Sequence, residues 1–299
     1  MQEARKFELI TRDGVQLAAS LFHNDTRKSN LIIVAPAAGV PQYYYKKFAE
    51  FASEDFDFDV LTFDYRGIAA SLKKPIKEDK STMSEWGSKD MDEAFRWGSE
   101  KYDKIFLIGH SVAGQVFPKA EHARSVTAAY FVCSQTASKK YWSGWPKLAV
   151  SLFWYIVLPF TSWIYGYLPK WTLGGGENLP FKAVREWRKW GLHPQGVLQG
   201  DQRVKDQFNQ LHIPIHFVNI EDDRILAPVD ATRELMHYYS NAITTFQHIR
   251  PKDLHINKLG HFGFFSSGHK EKLWSMPIMY FRQYVKSFEE EISLADKDQ

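Results

Sequence analysis

Three residue types that together can activate a hydroxyl are spread along this chain: Ser111, the acid pair Asp222 and Asp223, and His261. A serine hydroxyl is a weak nucleophile until a base takes its proton. A histidine serves as that base when a carboxylate holds its ring. The serine lies in Ile105-Phe106-Leu107-Ile108-Gly109-His110-Ser111-Val112-Ala113-Gly114-Gln115. An apolar run ends at Gly109, and a helix-compatible segment continues to Ala120. This reads as a buried strand, a sharp turn carrying Ser111, and a helix. Positions two before and two after the serine must be small in so tight a turn. Gly109 and Ala113 meet that need, although glycine is the usual residue at the second place, and Gly114 leaves room for helix to meet strand. Alone, the motif is moderately specific, because a strand-to-helix connection with a capping serine has the same pattern.

The elements that must position these residues follow from the pattern of apolar runs. Residues 7–10 and 16–22 flank Asp13-Gly14, a hairpin signal. Residues 31–35 form a continuous apolar run, as expected of a strand covered on both faces, and end in the small-residue loop 36–41. A helix pattern follows through Tyr44, Tyr45, Phe48, Ala49 and Phe51. Strands are expected at 59–63, 128–133, 215–220 and 244–249, and helices at 81–100, 229–238 and 269–289. Ser81 or Ser84 is the expected cap of the first of these helices. The last residues, rich in Glu, Asp and Lys, are expected to fray. Strands alternating with helices predict an α/β fold with a mostly parallel sheet, an antiparallel N-terminal hairpin and helices on both faces. In such sheets ligands gather at the carboxyl ends of strands. Ser111, the acid pair and His261 each fall at such an end, in that order along the chain.

Among eleven histidines, His261 is favoured because Gly260 and Gly263 allow a tight loop, with His255 in the same loop as its rival. His110 adjoins Ser111, but a neighbour on a tight turn points away from the hydroxyl. The single cysteine, Cys133, excludes an internal disulfide and reads as a buried filler. The charge is nearly balanced, +3 from 38 Lys and Arg against 35 Asp and Glu. No basic face argues for a nucleic-acid partner. The first residues lead straight into a strand pattern without an apolar leader, so a cytoplasmic location is the expectation.

Several motifs together resemble those of the α/β-hydrolases, and more narrowly the predicted α/β-hydrolase group related to serine aminopeptidase- and lipase-type enzymes. They are Gly39-Val40-Pro41-Gln42-Tyr43-Tyr44-Tyr45, Phe63-Asp64-Tyr65-Arg66-Gly67-Ile68, Gly109-His110-Ser111, Asp223-Arg224-Ile225-Leu226-Ala227-Pro228 and Gly260-His261-Phe262-Gly263. The resemblance implies a catalytic triad of Ser111, Asp223 and His261. Its usual pattern after the acid favours Asp223 over Asp222, with one extra residue before Pro228. It also implies an oxyanion hole made by the Val112 N–H and one N–H from the loop after the 31–35 strand. Pro36 has no N–H, so Ala37 is expected, with Ala38 as the alternative. Arg66 reads as a structural tie between loops. The chemistry requires no metal or organic cofactor. It would be carboxylic ester cleavage through an acyl-enzyme, with thioesterase, lipase or peptidase activity on the same triad as alternatives. A non-catalytic protein that binds hydrophobic ligands or a membrane surface is the contrasting reading.

From 135 to 200 the strand–helix rhythm breaks, and seven of the ten tryptophans fall there. The expected organisation is therefore a hydrolase core, 1–134 and 201–299, carrying a Trp-rich helical cap at 135–200. Residues 148–169 are 22 positions without a formal charge, long enough for a membrane span. A span would separate the two halves of one sheet, and Pro159 interrupts the run. A cap helix or helix pair is expected instead, with interfacial membrane contact as its rival. Either points to a small-molecule ester or lipid-like substrate. Gly174-Gly175-Gly176 follows no strand and lacks the lysine of a phosphate loop, so it reads as a cap loop. Oligomeric state and acyl chain length are not encoded in these patterns.

Overall fold

The computed structural model describes residues 4–23, 28–55 and 58–295, with side chains as far as Val285. The first three residues and 296–299, the end of the stretch expected to fray, lie outside the described residues, while the last helix continues past 289 to Ala295. Eight strands form one sheet: β1 (Arg5–Ile10), β2 (Gln16–Phe22), β3 (Asn30–Ala35), β4 (Asp59–Phe63), β5 (Lys104–His110), β6 (Val126–Val132), β9 (Pro214–Ile220) and β10 (Ile243–Ile249). A two-stranded ribbon, β7 (Tyr167–Leu168) and β8 (Leu179–Pro180), lies between β6 and β9 in the chain. The sheet order is β1-β2-β4-β3-β5-β6-β9-β10. β1 and β2 pair antiparallel, β2 meets β4 antiparallel, and every later pairing is parallel.

The stretches 31–35 of β3 and 105–108 of β5 are apolar throughout because both of their faces are covered. Leu31, Ile33, Ile105 and Leu107 join one core layer, whereas Ile32, Val34, Phe106 and Ile108 join the layer on the opposite face. That is the two-sided burial expected of a parallel sheet. The hairpin turn has Gly14 at φ 81°, which the absence of a Cβ permits.

Arg66 has the structural role expected of it. Its Nε donates to Asp90 at 2.6 Å, and its terminal nitrogens clamp both oxygens of Asp13 at 2.9 and 3.0 Å. This fastens the β1–β2 turn to the helical segment at 83–99. The cap of that segment differs from expectation. Thr82, not Ser81 or Ser84, accepts from the Glu85 N–H, and Glu85 accepts from the Thr82 N–H. Thr-x-x-Glu is a capping box, and the reciprocal bond favours it over a lone serine.

Residues 144–165 form one helix of 22 residues rather than a broken pair. A π turn at Phe153–Val157 sits just before Pro159. It relaxes the register where proline has no N–H to donate, so the helix passes through.

Candidate active site

Ser111 stands immediately after β5 with φ 55°, a left-handed conformation that a side chain rarely adopts. The turn is built around it by close contacts. A Cβ at Gly109 would lie 2.6 Å from the Phe131 ring, and one at Gly114 would lie 2.7 Å from Ser134. Gly109 is therefore demanded by β6 and Gly114 by the residues that follow β6. The Ser111 N–H donates to Val132 O at 2.9 Å, which pins the turn to the same strand. The following helix is short, Ala113–Val116, and tightens at Phe117–Lys119 around Pro118. It presses on the helical segment at 83–99 so closely that a Cβ at Gly87 would lie 2.1 Å from Val116 O.

His261 and Asp223 meet each other, and the His261 ring lies 5.1 Å from that of His110, the chain neighbour of Ser111. His261 Nδ1 lies 2.5 Å from Asp223 Oδ2, and both side chains are buried. Asp223 Oδ1 also accepts the Leu226 N–H at 3.2 Å. Asp222 has another task. Its two oxygens accept the Leu259 and Gly260 N–H groups at 2.9 and 2.8 Å, holding the loop that carries His261. The rival His255 is exposed.

His110 is fully buried, and its ring takes part in a chain of hydrogen bonds. The Ala37 N–H donates to Tyr45 Oη at 3.0 Å, and Tyr45 Oη lies 2.8 Å from His110 Nδ1. His110 Nε2 lies 2.9 Å from the His261 carbonyl oxygen. A carbonyl can only accept, so Nε2 carries the proton and Nδ1 accepts from the tyrosine. Burial holds the ring well below the usual histidine pKa, so it stays neutral. Tyr44 adds a second tie by donating to Phe262 O at 2.6 Å. These contacts join the loop after β3, the end of β5 and the His261 loop. The Tyr44-Tyr45 pair was visible in the sequence as part of a helix pattern and of the Gly39–Tyr45 motif, without this bridging role. The cue was a tyrosine doublet just after the small-residue loop.

The same network includes the N–H of Ala37, the expected oxyanion donor. The Ala37 N–H is occupied by Tyr45 inside the core. The N–H groups of Ala38 and Val112 make no hydrogen bond to any described residue.

Cys133, which follows β6, is buried as expected of a filler, but it lies against the acid. Its sulfur and the donor atoms of Asp223 and His261 all fall within 4.8 Å of one another. Such a set could converge on a soft cation only if the thiol ionised. Burial and the neighbouring Asp223 push the thiol pKa up, holding it protonated.

No protein-family model and no curated relative matches the chain. Solved structures do. An esterase of Pyrococcus furiosus superposes with a TM-score of 0.59 at 16% identity, covering 94% of this chain and 91% of its own. The esterase Est1E of Butyrivibrio proteoclasticus gives 0.57 at 16% identity over 95% of this chain and 100% of its own. An α/β serine hydrolase without a lid, from Xanthomonas campestris, gives 0.53 at 11% identity over 94% and 96%. The chain has the α/β-hydrolase fold.

On this α/β-hydrolase fold, the segment between β6 and β9 reaches the site from two sides. Trp142 Nε1 donates to Ile225 O at 2.9 Å, beside the Asp223 loop. On the other side, the Glu177 N–H donates to Gly39 O at 2.7 Å. The approach there is so close that a Cβ at Gly176 would lie 2.5 Å from that oxygen, which explains a glycine at this place in the triple-glycine run.

Proposed function

We propose that this chain is a serine hydrolase that cleaves carboxylic esters with an apolar acyl part. One observation carries the reading: beside a serine held at φ 55° after β5, its neighbour His110 has its ring 5.1 Å from that of His261, which makes a buried 2.5 Å contact with Asp223. Ser111 Oγ attacks the ester carbonyl carbon, and its proton passes to His261 Nε2. Asp223 holds the Nδ1–H tautomer and stabilises the imidazolium. The carbonyl electron pair moves onto oxygen, where the N–H groups of Val112 and Ala38 receive it. Collapse expels the alkoxide, which leaves as the alcohol with the proton from His261. Water, deprotonated by the same histidine, then attacks the acyl-serine, and the carboxylic acid departs.

In this reading residues 135–200 act as the cap. Support comes from the contacts that Trp142 and Glu177 make beside the acid and the β3 loop. The apolar side chain of Leu179 also packs against Gly39, next to the Ala38 donor. The test is hydrolysis of p-nitrophenyl esters of rising acyl length. Turnover efficiency should rise from acetate to longer chains, and equal rates across the series would contradict an apolar acyl site.

A further inference from the structure

The helix Gly144–Tyr165 is apolar enough and long enough to cross a membrane, yet only 28% of its most apolar window is buried. Its inner face is accounted for. Trp154 packs on Gly191, where a Cβ would lie 2.4 Å away, and Arg188 Nε donates to Trp154 O at 2.8 Å. Its outer face is not covered by any described residue. Leu148 is 75% exposed and Trp163 is 78% exposed. Leu152, Ile156 and Phe160 lie between them in the same condition. Their spacing follows the helical repeat, so they form one stripe along its length. Single exposed apolar residues are ordinary, but a continuous stripe of large ones marks an interaction surface.

Charge indicates what covers it. Residues 135–200 hold eight Lys and Arg against two Glu, a net +6 in a chain whose total is +3. The rest of the chain is therefore net acidic, and the excess of base is confined to the segment that bears the stripe. Some of these cations flank the apolar side chains directly. Arg185 and Arg188 line a groove of about 580 Å³ with Phe160 and Trp163. Lys139 sits over the ring of Tyr155 at 4.2 Å. Cations beside exposed tryptophan and aliphatic side chains are the composition of a helix that lies in a lipid interface.

The helix cannot cross the bilayer. β6 before it and β9 after it are hydrogen-bonded neighbours in one sheet, so the chain must leave and return on the same side. We propose that the outer face of Gly144–Tyr165 docks in the plane of an anionic lipid bilayer. Leu148, Phe160 and Trp163 enter the acyl boundary, while Arg185 and Lys139 meet the headgroup phosphates.

The experiment uses the full chain carrying Ser111→Ala, so that docking is read without turnover and stands or falls apart from the hydrolase reading. Binding to phosphatidylcholine vesicles with and without phosphatidylserine is followed by co-sedimentation and tryptophan fluorescence. The expected result is tight, salt-sensitive binding to the phosphatidylserine vesicles. Phe160→Ser with Trp163→Ser should weaken it by ~10-fold or more, from the lost apolar insertion. Arg185→Glu should weaken it by roughly 30-fold, from reversal of one charge at an anionic surface. All three residues are solvent-facing, and circular dichroism confirms that the variants remain folded. Absence of binding to either vesicle would overturn the proposal, as would binding that the variants leave unchanged. A concentration-dependent dimer abolished by Phe160→Ser with Trp163→Ser, without vesicle binding, would assign the stripe to a second copy and overturn it too.

Discussion

Tyr45→Phe removes one oxygen atom from the centre of the network that holds three loops together. Tyr45 and His110 are completely buried, and Ala37 is 2% exposed. The Tyr45 hydroxyl accepts from the Ala37 N–H and faces His110 Nδ1, so its loss leaves one donor and one acceptor unmatched. Each buried group left without a partner costs about 1–3 kcal/mol, and no water reaches this site from outside. The phenyl ring keeps its packing against Phe265, so the transfer term hardly changes. For the two groups the expected loss is therefore about 2–6 kcal/mol. Tyr44→Phe is the internal comparison. Its hydroxyl makes one bond, to Phe262 O, at a place open to solvent, and water can replace it. That loss should stay under about 1 kcal/mol. Urea unfolding of both variants at neutral pH gives the two values, provided the slope m is unchanged. Equal costs for the two tyrosines, or a cost below about 0.5 kcal/mol for Tyr45→Phe, would refute the network as the element that sets the loops.

Asp223→Asn should keep the fold and lower kcat on a p-nitrophenyl ester by about 10⁴-fold, the scale seen when a triad acid is neutralised. Asp222→Asn should instead lower stability by about 1–2 kcal/mol, because two N–H groups lose a charged acceptor, with a much smaller loss of turnover. The reverse pattern would exchange the two assignments. Ala38→Pro deletes the proposed oxyanion donor and should cost about 10²–10³-fold in kcat in the folded variant. Full activity there would return the role to another N–H. The buried neutral ring of His110 has a pKa below that of the unfolded chain, so the unfolded chain takes up its proton first as pH falls. Stability should therefore decline below about pH 6.5, by up to about 1.4 kcal/mol per unit. His110→Gln should lack this component in urea midpoints compared between neutral and mildly acidic pH. An identical pH slope in both proteins would contradict it.

What the sequence made legible is what local pattern encodes. The strand at 31–35 was readable because burial on both faces forces an uninterrupted apolar run. The turn at Ser111 was readable because Phe131 and Ser134 exclude any Cβ at Gly109 and Gly114. That the Ala37 N–H is taken up by a side chain was not readable, since its partner is a tyrosine hydroxyl eight residues away in the chain. Nor was the fate of the tryptophans. Trp154 and Trp190 are core, whereas Trp145, Trp163 and Trp171 face solvent, and composition alone cannot separate those two uses of the same residue. The cap at Thr82 is written in the Thr82-Met83-Ser84-Glu85 spacing, which serine preference alone does not reveal.

The central claim is that Ser111 is a nucleophile activated by His261. A fluorophosphonate probe followed by peptide mass spectrometry tests it most directly. The wild type should carry one adduct, on Ser111, with labelling abolished in Ser111→Ala and slowed by orders of magnitude in His261→Ala. A wild type that takes no label, or a Ser111→Ala variant that labels equally, would contradict the account.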